Sequence, residues 1–406
     1  MRSTDLNKYD VYLFLLIASL AVGNLGGALQ PVRILALLLV PSFFSAFENV
    51  RRYKWLFGFL LFWLAWLSVS MIWTPYNGDG LKSLVYYCVH FLLLSEICLF
   101  ATKAAKPHGA VAAGWIFAVL FTSVFGMWEI ITDQHLSLSI DASASRMHIG
   151  SKTIIHHFAS TFFGNLNSYV TFLCFALPFV LFKLIGVQKI EKKHITACIA
   201  LFLLVVIILF NGSRGGVISV VIMLLVALWM RLFGNRCDRN KQSKHIYKRI
   251  GIISAVVVVG AVLCCYLFPY VIFKFKSIAD IGNEARFGIW RNGLQLVLNT
   301  HGLGTGVGGV VVSYATIPNA DFLVPHNLLL ELLVESGVLV FALFLALAVK
   351  YLIHWYKMPH GAARSAILLA LIACPFYFII DSTYWLSPAT FCFFASLIIF
   401  AYERSE

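Results

Sequence analysis

Residues 195–233 read ITACIALFLLVVIILF-NGSRGG-VISVVIMLLVALWMRLF: an apolar run, a short polar turn, and a second apolar run. The hydrocarbon core of a bilayer accommodates about 20 apolar residues as one helix. Both runs are continuous rather than alternating, so they read as helices and not as strands of an outer-membrane barrel. The stretch is a helical hairpin in a membrane, with an arginine and three glycines at its turn.

The same pattern extends along the chain. Apolar runs fall at 11–29, 32–47, 55–73, 84–101, 109–131, 169–186, 195–210, 217–233, 250–268, 328–353, 365–380 and 386–402. The expected fold is therefore an all-α polytopic membrane protein of about 12 transmembrane helices, with residues 1–406 forming a single integral membrane domain. The second run is short, so the first two are expected to form a tight hairpin. The first run is not followed by a small-residue cleavage site and reads as a retained span rather than a signal peptide. Of the 406 residues 60% are hydrophobic and 12% charged, and the mean hydropathy is +0.86. Those values exclude a soluble enzyme, a disordered chain and a disulfide scaffold.

The net charge of +13 invites a nucleic-acid reading, but its distribution explains it otherwise. With the N-terminus inside, most of the 31 Lys and Arg residues fall in connections on the inner side. One such connection holds Arg231, Arg236, Arg239, Lys241, Lys244, Lys248 and Arg249. The positive-inside rule then places both termini in the cytoplasm, in a cytoplasmic (inner) membrane, and no nucleic-acid partner is expected. The nine cysteines show no zinc-type spacing, and eight lie in apolar runs as small apolar residues.

Two outer connections are long, 132–168 and 269–325. Loops of that length are usually functional, and their aromatic residues argue against disorder. Short amphipathic helices on the outer membrane surface are expected there. Polar residues cluster on this same face. Ser213 and Arg214 lie in the turn Asn211-Gly212-Ser213-Arg214-Gly215-Gly216; a guanidinium offers forked donors suited to phosphate. Arg286 and Trp290 share one face of a helix over Arg286–Arg291, and Arg291 points elsewhere, toward lipid headgroups. Gly304 and Gly306 sit in a glycine-rich run, 302–309, that could form an anion nest or simply a packing loop. Asn327, Glu331 and Glu335 fall at helical spacing on one stripe at the start of a span. Carboxylates there normally face a protein interior or a wet cavity. His326 precedes them, where a general base or a phosphate donor could stand. Asn165 and Asn167, beside Phe163 and Tyr169, suit sugar hydroxyls or a helix cap. Structural roles compete at every position: a snorkelling arginine, a cap, an internal ion pair. Taken together, the outer face fits an anionic ligand of phosphate type, and for a membrane protein that means a lipid-linked one.

In order, FGNLNSY, NGSRGG, RFGIW, GLGTGVGG and PHNLLLELLVESG resemble motifs of the bacterial O-antigen ligase and polysaccharide polymerase superfamily. The motifs cover about residues 160–340; span count and loop placement extend the likeness to the whole chain. The resemblance implies a GT-C-like fold and a metal-independent, cofactor-free inverting glycosyltransferase. It would act on an undecaprenyl-pyrophosphate-linked glycan at the outer face of the cytoplasmic membrane. Arg214 would hold the pyrophosphate, helped by Arg286. His326 would activate or orient the acceptor hydroxyl, with Glu331 the other candidate base. Ser213, Trp290, Asn165, Asn167, Asn327, Glu335, Gly304 and Gly306 would bind substrate. The acceptor would be a second glycan or a lipid A-core; membrane lipids and polysaccharide export or chain-length proteins are the remaining expected partners. Asn165-Leu166-Asn167 stands where many members have Asn-Pro-Asn, and looks more like the polymerase branch than the ligase branch. A transporter or flippase of an anionic lipid-linked glycan would instead place polar groups at the bilayer midplane and show repeat symmetry.

Overall fold

The computed structural model describes residues 6–138, 146–149, 152–155, 157–185, 191–233, 282–317 and 324–402. Its helices are α1 (Lys8–Ala18), α2 (Pro31–Ala46), α3 (Lys54–Ser70), α4 (Asn77–Lys103), α5 (Pro107–Thr132), α6 (Leu166–Phe182), α7 (Ile195–Asn211) and α8 (Arg214–Phe233). They continue with α9 (Gly282–Asn299), α10 (Val310–Ala315), α11 (Leu328–Tyr356), α12 (Ala362–Tyr377) and α13 (Pro388–Tyr402). Every expected span meets a helix except 250–268, which lies outside the described residues. Among the described residues, five helical stretches are long and apolar enough to cross a membrane: Pro31–Ser70, Asn77–Lys103, Pro107–Thr132, Lys192–Asn211 and Leu328–Tyr356. Four shorter apolar helices accompany them.

Three local features differ from the expectation. The first run does not stay helical to residue 29: α1 ends at Ala18 and short 3-10 turns follow at Ser19–Val22 and Gly27–Leu29. Gly23, Gly26 and Gly27 all take positive φ there, which an α-helix cannot continue through. Between α2 and α3 the chain stays coiled as a 3-10 segment, Phe47–Tyr53, with Arg51 and Arg52 exposed on it. The long connection 132–168 carries a two-stranded hairpin, β1 (Arg146–Ile149) with β2 (Lys152–Ile155), antiparallel with Arg146 opposite Ile155.

The chain divides into two compact units: Met1–Gly114 with Ala279–Pro359 and Phe378–Glu406, and Trp115–Ile278 with His360–Tyr377. In the first unit α4 is central and packs against α13, α2, α1 and α3, while α11 lies on α3 and α9 on α11. Trp63 anchors this packing, with its ring against Tyr87, Phe91 and Trp385 and its Nε1–H donated to Ser336 Oγ at 2.9 Å. In the second unit α12 packs on α8 and α6, and α6 on α7. Trp115 stacks on Phe179 and meets the Phe172 ring at a tilt.

Helix α11 is broken once. Gly337 takes φ 79° and ψ 179°, so the 29 residues are a short N-terminal piece and a long C-terminal one. Three of the backbone groups around this break are taken up by the glycine-rich run. Thr305 N–H donates to Val334 O (2.7 Å), Gly306 N–H to Glu335 O (3.1 Å), and Val338 N–H to Gly302 O (2.8 Å). A buried backbone group left without a partner would cost about as much as a lost hydrogen bond, so kink and loop form one structure.

Candidate functional site

The first unit gathers most of the expected residues around the N-terminal end of α11. Asn327 caps that helix, its side chain accepting from Leu329 N–H and Leu330 N–H at 3.1 Å each. His326 precedes it with φ 48°, a left-handed conformation that is uncommon for a non-glycine residue. Arg286, on α9, donates from Nη1 to Ile379 O at 3.2 Å. Trp290, one turn on, donates from Nε1 to Pro325 O at 3.0 Å and so ties α9 to the residue before His326. The α9 face that carries Ile289, Leu296 and Val297 is buried against Tyr314, Leu330 and Val334. Tyr314 Oη–H closes the contact on Ile289 O at 3.0 Å.

His326 is partly buried, and three groups set its protonation. Burial comes first and the Arg286 guanidinium second; both hold the imidazole below its ordinary value. A hydrogen bond with the Asp381 backbone works in the opposite direction. The net effect keeps His326 neutral through a wider pH range than a free imidazole, the state in which a ring nitrogen can accept a proton.

The two glutamates of the stripe are both buried and both occupied. Glu331 accepts Thr383 N–H on Oε1 and Tyr384 N–H on Oε2, each at 2.8 Å. Glu335 accepts Gly308 N–H at 2.8 Å on one oxygen and the Tyr87 hydroxyl on the other. Each carboxylate thus fastens a loop to α11. Gly304 and Gly306 belong to the strap that covers the kink, an arrangement that matches the packing-loop alternative for this run. Every N–H from Gly302 to Gly309 is donated within the protein: to Val297 O, Thr300 O, Thr300 Oγ1, Val334 O, Glu335 O, Ser70 Oγ, Glu335 Oε1 and Gly306 O in turn. A Cβ on Gly304 would lie 2.6 Å from Glu335 O and Gly337 N, so the glycine permits close backbone approach rather than ligand access.

The second unit holds the other expected residues. Asn165 caps α6, accepting Asn167 N–H at 2.7 Å and Ser168 N–H at 3.4 Å. Asn167 is partly exposed in the first turn of that helix. Gly212, at φ 61°, ends α7, and Ser213 and Arg214 open α8, both partly exposed. A guanidinium at a helix N-terminus adds its donors to the free N–H groups there. Sequence reasoning missed what fixes this turn. Asn211 is buried, accepts Ala159 N–H on Oδ1 at 2.7 Å and donates from Nδ2 to Ala159 O at 2.9 Å. Glu129 holds the neighbouring stretch by accepting Ser160 N–H (2.7 Å), Thr161 N–H (2.8 Å) and Leu136 N–H (3.2 Å). Among the described residues no three His, Cys, Asp or Glu side chains gather closely enough to hold a metal ion.

Each unit therefore offers a cation at a polar helix end, and the first adds a neutral imidazole beside it. Residues 199–345 match the family model described as O-Antigen ligase. Over 351 residues the chain is 24% identical to the teichuronic acid biosynthesis protein TuaE of Bacillus subtilis (strain 168), a span of 82% of this chain and 67% of that protein. The apolar helices mark a multi-pass membrane protein, and both likenesses are to proteins of the O-antigen ligase and polysaccharide polymerase type.

Proposed function

We propose that this chain polymerises an undecaprenyl-pyrophosphate-linked glycan on the outer face of the cytoplasmic membrane, as an inverting transferase that uses no metal. The observation that carries the reading is the meeting of Arg286 and His326 at one helix end, with the cation helping to keep the imidazole neutral. His326 takes the proton of the acceptor hydroxyl as that oxygen attacks the anomeric carbon. The bond to the pyrophosphate breaks, and undecaprenyl pyrophosphate leaves with the electron pair. Negative charge grows on the phosphate oxygens during this step, and preorganised cations act most strongly where charge develops. Arg214 and Arg286 are the cations assigned to it. Glu331, with both oxygens committed to backbone N–H groups, supports rather than performs the proton transfer. Asn165, Asn167 and Ser213 in the second unit, and Trp290 and Asn327 in the first, are assigned to contacts with sugar and phosphate.

Transfer of the finished glycan to a lipid A-core is the second reading, favoured by the description of the matching family model. The relative named for teichuronic acid biosynthesis favours the building of a polysaccharide. The experiment that separates them is a glycan ladder from a deletion strain, with lipid-linked and acceptor-linked fractions run apart. Single repeat units without long chains identify a polymerase. Long chains that stay on the lipid carrier identify a ligase and overturn the polymerase assignment.

A further inference from the structure

The short turn between α12 and α13 is held by a buried carboxyl group and a buried guanidinium that do not touch. Thr383 takes φ 58°, and Tyr384–Leu386 form a single 3-10 turn. At its start, Glu331 accepts the N–H groups of Thr383 and Tyr384. At its end, Arg33 donates from Nη2 to Leu386 O at 3.2 Å. The same guanidinium donates from Nη1 to Gly27 O (3.0 Å) and from Nε to His90 Nε2 (3.1 Å), and lies 4.0 Å from the centre of the Tyr86 ring. Glu331 is 6% exposed and Arg33 5%. Among the described residues neither has a counter-ion within salt-bridge reach. A buried charge needs compensation. Here the carboxylate faces the N–H end of the turn and the guanidinium its C=O end, which is the orientation a peptide dipole favours.

That turn carries the groups on which Arg286 and His326 rest. Ile379 O accepts from Arg286, and the Asp381 backbone is hydrogen-bonded to His326. Between them, Tyr384 Oη accepts Ile380 N–H at 3.1 Å and Asp381 N–H at 2.9 Å, which fixes both peptide planes. Trp385 Nε1–H adds a bond to Leu328 O at 2.8 Å, one residue after the helix cap. We infer that Glu331 and Arg33 are positioning residues for glycan transfer, acting through the 379–386 turn to hold the Arg286 guanidinium and the His326 imidazole in register. The inference rests on the roles proposed above for Arg286 and His326, and it gives Arg33 a part in the reaction although it touches no substrate.

The test uses the purified full-length protein in lipid nanodiscs with an undecaprenyl-pyrophosphate-linked glycan, and measures kcat, donor KM and pH profile separately. The variants are Glu331→Gln, Arg33→Lys and Tyr384→Phe, with His326→Ala as reference. Tyr384→Phe removes only a hydroxyl and keeps the test open if the charged variants fail to insert. A displacement on the order of 1 Å costs about 100-fold in rate. Glu331→Gln and Arg33→Lys are therefore expected to lower kcat by about 10- to 100-fold, with donor KM changed less than about threefold. Tyr384→Phe is expected to act in the same direction, less strongly. In all three the acid limb of kcat/KM moves to higher pH, because an imidazole released from burial and from Arg286 titrates nearer its ordinary value. A role limited to fold stability would lower the yield of inserted protein and leave that limb in place. If His326→Ala is inactive while the three variants keep kcat and the acid limb, the positioning role is overturned and the functional reading stands. If His326→Ala is active, the functional reading falls and this inference falls with it.

Discussion

Replacing Gly337 with alanine tests whether the break in α11 and the strap over it are one structure. The protein has two ways to accommodate the methyl group. In the first, the kink stays and an alanine adopts φ 79° and ψ 179°. That region is essentially restricted to glycine and costs on the order of 1–3 kcal/mol. The new Cβ would also run into the carbonyl oxygens of Gly302 and Leu303, which are backbone atoms and cannot swing aside. In the second, α11 straightens. The N–H groups of Thr305 and Gly306 and the carbonyl of Gly302 then lose their partners, at about 1–3 kcal/mol each. The bonds of a regular helical turn return only about 1 kcal/mol each. Either route costs on the order of 3 kcal/mol, roughly two powers of ten in the folding equilibrium. The assay is unfolding of the full-length protein in mixed detergent micelles, followed by tryptophan fluorescence. Gly58→Ala serves as the control: Gly58 lies inside α3, and a Cβ there meets nothing within 4 Å. That variant is expected to be neutral or stabilised by up to about 1 kcal/mol. A Gly337→Ala protein within about 0.5 kcal/mol of wild type, the range of an ordinary surface change, would refute the reasoning.

Three further outcomes are expected. Arg214→Ala and His326→Ala each abolish glycan transfer in strains whose membranes retain normal amounts of the protein; full activity in either removes that residue from the mechanism. The acid limb of the pH–rate profile lies below the ordinary imidazole value of about 6.5, since burial and Arg286 both disfavour the charged His326. The sign carries over to stability: the unfolded chain binds the proton more readily, so stability falls as pH drops from that ordinary value toward the depressed folded one. A limb above about 6.5 contradicts the assignment. Asn211→Ala leaves Ala159 N–H and C=O buried without partners, and is expected to destabilise the second unit by about 2–4 kcal/mol. Limited proteolysis between α5 and α6 reads the effect, and an unchanged cleavage rate would count against the clamp.

The spans were legible because a bilayer demands long uninterrupted apolar runs, and little else produces them. Helical spacing likewise brought Asn327, Glu331 and Glu335 onto one stripe. Their partners could not be read in the same way. Glu331 and Glu335 bind the N–H groups of Thr383, Tyr384 and Gly308, and a backbone N–H leaves no mark on the residue type that bears it. The break at Gly337 was hidden for a related reason: a glycine inside Ser336-Gly337-Val338 looks the same in a straight helix as in a bent one. The glycine run 302–309 left an anion nest and a packing loop both open, because composition shows flexibility but not the direction in which N–H groups point. Asn211 was seen as part of a turn motif, yet its clamp on Ala159 joins residues with no common pattern. Arg33 and His90 stood in no motif at all.

The strapped kink and the twice-held turn also set an order of assembly. Arg33 and Leu386 are 353 positions apart, Trp63 and Ser336 are 273, and Tyr87 and Glu335 are 248. A ribosome releases residues at about 5–20 per second. The first helices therefore wait in the bilayer for tens of seconds before the groups that complete them are made. During that interval the Arg33 guanidinium lacks the Leu386 carbonyl, and Trp63 lacks the Ser336 hydroxyl. The unit begun first is thus the last to close, and a chain halted before Leu386 differs chemically from a finished one at a buried cation. Membrane quality control could act on that difference long before any glycan is transferred.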